Sequence, residues 1–171
     1  MLQQLKNINT FVFDVDGVLT DGSLLVMPNG ILVRRMNIKD GYALQLAIKK
    51  GYQVWVISGG NSPEIIERLL KLGVVEVHMQ VADKAAVFQR LVMKYNVDPN
   101  SCLYMGDDIP DLLVMKMVGF PACPSDAVQA IREVSKYISN IRGGEGCVRE
   151  LVEKVMVLKG DWNEDITVRA Q

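Results

Sequence analysis

Residues 11–22, Phe11-Val12-Phe13-Asp14-Val15-Asp16-Gly17-Val18-Leu19-Thr20-Asp21-Gly22, begin as one kind of structure and end as another. The run from Phe11 to Val15 is short, apolar and rich in aromatic and β-branched side chains, as a strand buried on both faces must be. It stops in carboxylates and glycine, so Asp14 and Asp16 fall at the strand's carboxyl end. In an open α/β sheet, ligands gather in the crevice beyond that edge, where two closely spaced carboxylates suit a hard cation and a phosphate. The plain alternative is a solvated turn rich in Asp and Gly. It would serve for a lone Asp-x-Asp but fits poorly behind so apolar a strand.

Two short apolar runs follow, on either side of Pro28-Asn29-Gly30. Asn and Gly accept the positive φ of tight turns, so residues 22–36 read as a β-hairpin. Leu24, Val26, Ile31 and Val33 give it more apolar surface than a free ribbon keeps exposed. It should therefore pack on something, either another subunit or its own domain. From Asp40 the period becomes helical through Tyr42, Leu44, Leu46, Ala47 and Ile48, closing at Lys49-Lys50-Gly51 with cations in the last turn and a terminal glycine. Residues 53–57 are the next strand, broken by Ser58-Gly59-Gly60-Asn61-Ser62. Ser62 as cap and Pro63 at the first position then open a helix running to Gly73. Taken alone, Ser58 reads as a turn hydroxyl.

Residues 75–79 read as a short strand carrying His78, the single histidine. One histidine on an alternating apolar stretch reads as structural and cannot build a His-based metal site. Asp83 caps a helix over 84–95, and Lys84 stands in its first turn, where a cation opposes the helix dipole. A solvated Lys is the ordinary reading there, anion binding the other. The strand at 101–105 ends in Gly106-Asp107-Asp108-Ile109-Pro110-Asp111, a second carboxylate cluster at a strand's carboxyl edge. Two such acidic ends converging across a sheet would hold Mg²⁺, which takes oxygen ligands and leaves room for phosphate. The rest reads as a helix over 112–118, a strand over 120–124, a helix over 125–134 and an edge strand over 136–139. A flexible loop over 142–146 and an amphipathic helix over 147–158 follow, and the tail from Lys159 is expected to be disordered. This alternation implies a three-layer α/β fold around a doubly wound, Rossmann-like parallel sheet, with the Asp14 strand near its centre. One domain is expected over residues 1–158, followed by the tail at 159–171.

Composition narrows the class. The chain has 171 residues, 49% apolar and 23% charged, with a formal net charge of −1, which is ordinary for a globular domain. That charge and the absence of a Lys/Arg run argue against nucleic acid and anionic membranes as partners. The opening residues lack a signal-peptide core and no stretch approaches a membrane span, so a cytosolic (cytoplasmic) protein is expected. Cys102, Cys123 and Cys147 are odd in number and far apart, which suggests buried, reduced thiols.

Asp14-Val15-Asp16-Gly17-Val18-Leu19-Thr20, Ser58, Lys84 and Gly106-Asp107-Asp108-x-x-Asp111 stand in the order and with the spacing of the four motifs of the haloacid dehalogenase-like phosphatases. The chain resembles that superfamily over most of its length. More narrowly it resembles the 3-deoxy-D-manno-octulosonate 8-phosphate (KDO 8-phosphate) phosphatases. The shared features are size, the lack of a cap domain, a hairpin after the first motif, Asp40-Gly41-Tyr42, and Gly143-Gly144-Glu145-Gly146 followed by Val148-Arg149-Glu150. One departure is Gly60, where those enzymes often carry a larger or charged residue.

The resemblance implies Asp14 as nucleophile and Asp16 as general acid and base. It implies Ser58, Gly59 and Lys84 on the phosphoryl group, and Mg²⁺ on Asp14, the main-chain carbonyl of Asp16, and Asp107, with Asp108 or Asp111 in support. Arg68 matches an arginine position of the sugar-acid phosphatases, and Arg142 offers a second cation; either side chain is otherwise a solvated charge. The implied substrate is a phosphorylated keto-deoxy sugar acid and the implied assembly a homotetramer with the hairpin in a subunit interface. A nonulosonate 9-phosphate phosphatase is the nearest alternative. A receiver-like signalling domain, or a regulatory module without turnover, is the alternative of another class.

Overall fold

In the computed structural model, which describes residues 2–168, a short helix that the sequence did not announce, α1 (Leu2–Lys6), precedes β1 (Thr10–Phe13). Its Leu5 is fully buried. The expected hairpin is present but brief: β2 (Leu25–Val26) pairs antiparallel with β3 (Leu32–Val33), with Asn29 at φ 71° in the turn. Helix α2 (Ile38–Lys49) starts earlier than the apolar period suggests, because the Asn37 side chain accepts the Lys39 N–H and caps it. Strand β4 (Gln53–Ile57), α3 (Pro63–Lys71) capped by Ser62, β5 (Glu76–His78) and α4 (Lys84–Tyr95) capped by Asp83 fall close to their expected bounds.

Beyond β6 (Cys102–Met105) two helices are shorter than the pattern implied. Helix α5 (Leu112–Met115) is a single turn, because the chain must tighten to enter β7 (Phe120–Cys123), with the Gly119 N–H already bonded to the Pro99 carbonyl. Helix α6 (Gln129–Val134) begins four residues late. The Ser125 and Val128 N–H groups are committed to the carbonyls of Ile141 and Asp107, so those residues stay outside the helix. The expected edge strand is reduced to β8 (Tyr137–Ile138), and α7 (Cys147–Lys159) completes the regular structure.

The main sheet has the order β5-β4-β1-β6-β7-β8, and every pairing in it is parallel. From β1 the chain winds outward through β4 and β5, then returns to the other side of β1 at β6. The crevice at that reversal lies beyond the carboxyl ends of β1, β4 and β6. Alternate residues of β1 feed two cores. Phe11 and Phe13 face the layer of α1, α2, α3 and α7, whereas Val12 joins Trp55, Phe88 and Ile131 under α4, α5 and α6. Three layers result, with no inserted cap domain among the described residues.

Two further expectations are corrected. Residues 142–146 form no free flap: the Gly144 N–H bonds to the Val18 carbonyl at 2.9 Å and the Gly143 N–H to Asp126 at 3.0 Å. Gly143 packs so closely that a Cβ there would stand 1.9 Å from the Gly17 carbonyl oxygen. Nor is the segment after α7 loose. Residues 161–168 are irregular, yet Trp162 lies against the Tyr42 ring, with the Arg149 guanidinium over both, and Tyr52 donates to Asp161 at 2.6 Å. The final residues of the expected tail, 169–171, lie outside the described residues. Asp40 stitches the same region: its buried carboxylate accepts the Arg149 N–H at 2.7 Å, capping α7, whose own cap residue is Gly146. Burial holds Asp40 up at about 6 despite that bond.

Candidate active site

At the end of β1 the Asp14 N–H still bonds to the Met105 carbonyl, at 3.1 Å, so the sheet register carries Asp14 to the crevice. Its Oδ1 accepts the Val15 N–H at 2.7 Å. Residues 15–19 then close a tight turn, with the Thr20 N–H on the Val15 carbonyl at 3.0 Å, and Gly17 at φ 82°. Glycine is required there twice over: for the left-handed backbone and because a Cβ would stand 2.0 Å from Asp107 Oδ2. The turn places Asp16 in the same cleft as Asp14.

The cation that looked misplaced at the start of α4 is answered by two carboxylates. Lys84 is 5% exposed, with Nζ 2.9 Å from Asp14 Oδ2 and 2.7 Å from Asp111 Oδ1. Burial works against its charge, and the paired carboxylates outweigh that and hold Lys84 above the ordinary lysine range. Asp111 is saturated: Oδ1 also accepts the Tyr104 hydroxyl at 2.6 Å, and Oδ2 accepts the N–H groups of Asp107 and Asp108 at 3.0 and 3.4 Å. It organises the loop rather than facing the cleft.

Asp107 differs. Its carboxylate accepts no hydrogen bond from the described residues, and burial, then repulsion from Asp14 and Asp111, raises it to about 8. Burial and Asp111 also push Asp14 upward, against the pull of Lys84. Asp14, Asp107 and Asp111 place ligand oxygens within 4.8 Å of one another. A buried, oxygen-only, mutually repelling set fits a divalent hard cation, and with Asp111 already engaged the open carboxylates are Asp14 and Asp107.

Ser58, 1% exposed at the end of β4, accepts the Gly60 N–H at 3.2 Å and opens onto the same cleft, of about 280 Å³. Asp14, Asp16, Ser58, Gly59, Lys84, Asp107 and Asp108 line it, with Asp111 behind them. Arg68 does not; it lines a separate hollow on α3 with Glu64, Glu67 and Lys71. Arg142 is solvent-facing and pairs with Asp126 at 3.2 Å. A larger, mostly apolar groove of about 730 Å³ runs along α7 past Leu5 and Ile141, and it contains none of the cleft residues. His78 takes the structural role expected of it, bonded to Glu76, which Lys94 and Tyr95 also grip.

Sequence reading missed two participants. Tyr104 looked like one more apolar strand residue, although its position two before Gly106 puts its hydroxyl within reach of Asp111. Arg34, at the end of the hairpin, binds Asp16 through Nε at 2.6 Å, a contact across eighteen positions that no local pattern signals.

A doubly wound sheet whose carboxyl edge brings an Asp-x-Asp turn, a serine, a buried lysine and an acidic loop into one cleft defines the haloacid dehalogenase-like hydrolases. The model of that family matches residues 70–151. A KDO 8-phosphate phosphatase of Salmonella typhi is 30% identical over 164 residues, spanning 96% of this chain and 87% of its own length. Among solved structures, the KDO 8-phosphate phosphatase of Yersinia pestis superposes with a TM-score of 0.91 at 28% identity, over 94% of this chain and 86% of that one. The Moraxella catarrhalis enzyme, determined in complex with a magnesium ion, a phosphate ion and a KDO molecule, gives 0.90 at 31% identity, over 94% and 92%. The chain belongs to the KDO 8-phosphate phosphatase family of haloacid dehalogenase-like hydrolases and is a phosphatase. No helix of the described residues is long and apolar enough to cross a membrane.

Proposed function

We propose that the protein hydrolyses the terminal phosphate of KDO 8-phosphate in a Mg²⁺-dependent reaction through an aspartyl phosphate on Asp14. The observation that carries this reading is Lys84, a buried ammonium 2.9 Å from Asp14 in a cleft that also holds Asp16, Ser58 and Asp107. The likeness to an enzyme that binds magnesium, phosphate and KDO supports the metal and the substrate. It also favours the octulosonate over a nonulosonate 9-phosphate, and turnover over a receiver-like role.

Asp14 attacks phosphorus while the bond to the sugar oxygen breaks, and Asp16 gives that oxygen its proton. Asp16, now a carboxylate, takes a proton from water as the water attacks the aspartyl phosphate, which frees inorganic phosphate and restores both side chains. Ser58, the Gly59 backbone and Lys84 bind the phosphoryl oxygens, and Lys84 offsets charge that would otherwise repel the ester from Asp14. Asp14, Asp107 and the main-chain carbonyl of Asp16 would hold Mg²⁺, with Asp108 and Asp111 steadying the loop; when bound, the ion neutralises charge on the transferring group. The turn at 15–19 fixes Asp16 over the cleft, so the acid and the nucleophile act on opposite ends of one ester bond.

The sugar acid's carboxylate needs a cation once Lys84 is engaged with phosphate; Arg68 and Arg142, which lie outside the cleft of their own chain, are proposed to supply it to a neighbouring subunit's cleft in the assembly. A charge-assisted pair with arginine is worth about 1.5–3 kcal/mol, or roughly ten- to a hundredfold in specificity. Comparing kcat/KM on KDO 8-phosphate, a nonulosonate 9-phosphate and glucose 6-phosphate should give the first the highest value. Arg68→Ala should erode that preference by about tenfold or more, at unchanged rate on glucose 6-phosphate. Equal rates on all three esters, unaffected by the substitution, would remove the substrate assignment.

The hairpin is proposed as a subunit contact in a homotetramer. Leu25, Val26 and Ile31 are 62%, 70% and 59% exposed, and they stand on a two-stranded ribbon that its own domain does not cover. Sedimentation at micromolar concentration should give four subunits, and Val26→Asp should dissociate them. A fully active monomer would contradict the assignment.

A further inference from the structure

The hairpin meets the cleft residue Asp16 through Arg34. Arg34 follows directly on β3, and its guanidinium meets Asp16 with two prongs: Nε stands 2.6 Å from Oδ1 and Nη2 3.2 Å from Oδ2. Nη1 lies 3.4 Å from the Leu32 carbonyl in the hairpin and 3.4 Å from the Asn61 carbonyl in the loop after β4. The Arg34 side chain is only 5% exposed, although Leu32 and Val33 beside it are open to solvent. One buried cation therefore joins the hairpin, the loop after β4 and the cleft. The Asp16 carboxylate makes no other hydrogen bond among the described residues.

Room for the pair is left at Gly60. A Cβ there would stand 2.6 Å from Asp16 Oδ2, 3.3 Å from Arg34 Nη2 and 3.5 Å from Ser58 Oγ. A side chain at this position would push Asp16 out of the fork. Gly60 and the Arg34–Asp16 pair thus fit each other. Arginine suits the task because its planar fork sets the orientation of a carboxylate, which the point charge of a lysine does not.

We propose that Arg34 is a positioning residue for Asp16: it aims the ionised carboxylate that takes the proton from the attacking water and makes the seating of the hairpin a condition for that step, with Gly60 as the clearance it needs. This rests on the phosphatase reading above and extends it to residues outside the four motifs. Arg34→Ala should lower kcat by about ten- to a hundredfold, the size of a charge-assisted bond. KM should stay within about threefold, since the lost contact is not to substrate. Arg34→Lys should fall between, and millimolar guanidinium should restore part of the Arg34→Ala rate while leaving wild type unchanged. Gly60→Ala, which leaves the hairpin sequence intact, should lower kcat as well. In the Arg34→Ala background it should add little, because both act through one carboxylate. Thermal melting of each variant separates these effects from unfolding. An active wild type with an unaffected Arg34→Ala, or multiplicative losses in the double variant, overturns the proposal alone. A wild type that releases phosphate from no ester overturns the phosphatase reading and this proposal with it.

Discussion

Asp14→Asn should reduce phosphate release by a factor on the order of 10⁴ or more while leaving a folded protein, since loss of a nucleophile removes the route rather than slowing it. The amide keeps the oxygen that accepts the Val15 N–H, so the turn over residues 15–19 has what it needs. Lys84 retains Asp111 at 2.7 Å as its counter-charge. The upward push on Asp14 from burial and from Asp111 shows that its ionised form is costly in the metal-free fold. Replacing it with a neutral group removes that cost, while the amide nitrogen then meets Lys84 donor to donor, so the melting temperature in EDTA at pH 7 should stay close to that of wild type. The check pairs a phosphate-release assay with thermal melting; near-normal turnover by a well-folded Asp14→Asn would refute the covalent route.

Lys84→Met should damage both stability and activity. Removing the ammonium leaves Asp14 and Asp111 facing each other in a buried site, and breaking such a pair costs about 3–5 kcal/mol. For a domain of this size that lowers the melting temperature by on the order of 10 °C. Turnover should fall by roughly 10²–10³, the usual loss of one preorganised charge at a reacting centre. The stability loss should be partly recovered by adding Asp111→Asn, because one of the two uncompensated carboxylates then becomes neutral, while turnover stays low. An unchanged melting temperature for Lys84→Met would mean that the lysine is solvated and the cleft more open than described.

The sheet and most of the cleft were legible because strand, loop and helix punctuation is local. The Phe11–Val15 run, the Ser62-Pro63 start and the Asp83 cap each depend on neighbouring residues, and each element formed close to its expected place. The clustered carboxylates were legible for a related reason: burying acids at strand ends needs an explanation, and a cation supplies one. What escaped depended on distant chain. Helix α6 starts late because carbonyls of Asp107 and Ile141 claim its first N–H groups. The segment beyond Lys159 lacks any regular period, yet Trp162 finds Tyr42 and Arg149 to cover it. Lys84 looked out of place on its own helix and became intelligible only with Asp14 and Asp111 beside it. Arg34 carried no signal at all, since a lone arginine after a hairpin strand reads as surface charge.

The central place of β1 has a consequence for the chain as it is made. This strand leaves the ribosome before both of its sheet partners, which are drawn from residues 53–57 and 102–105, and before α2, α3 and α7, which cover its Phe11 and Phe13 face. Until residues 53–57 emerge, Thr10–Phe13 is an apolar, β-prone segment with both edges unpaired, the kind of stretch that recruits foreign strands. Charged residues beside such a segment act as gatekeepers against that pairing. Asp14 and Asp16 stand directly behind it. The two carboxylates proposed for chemistry in the finished molecule are thus also the charges that keep its innermost strand from aggregating before its partners arrive.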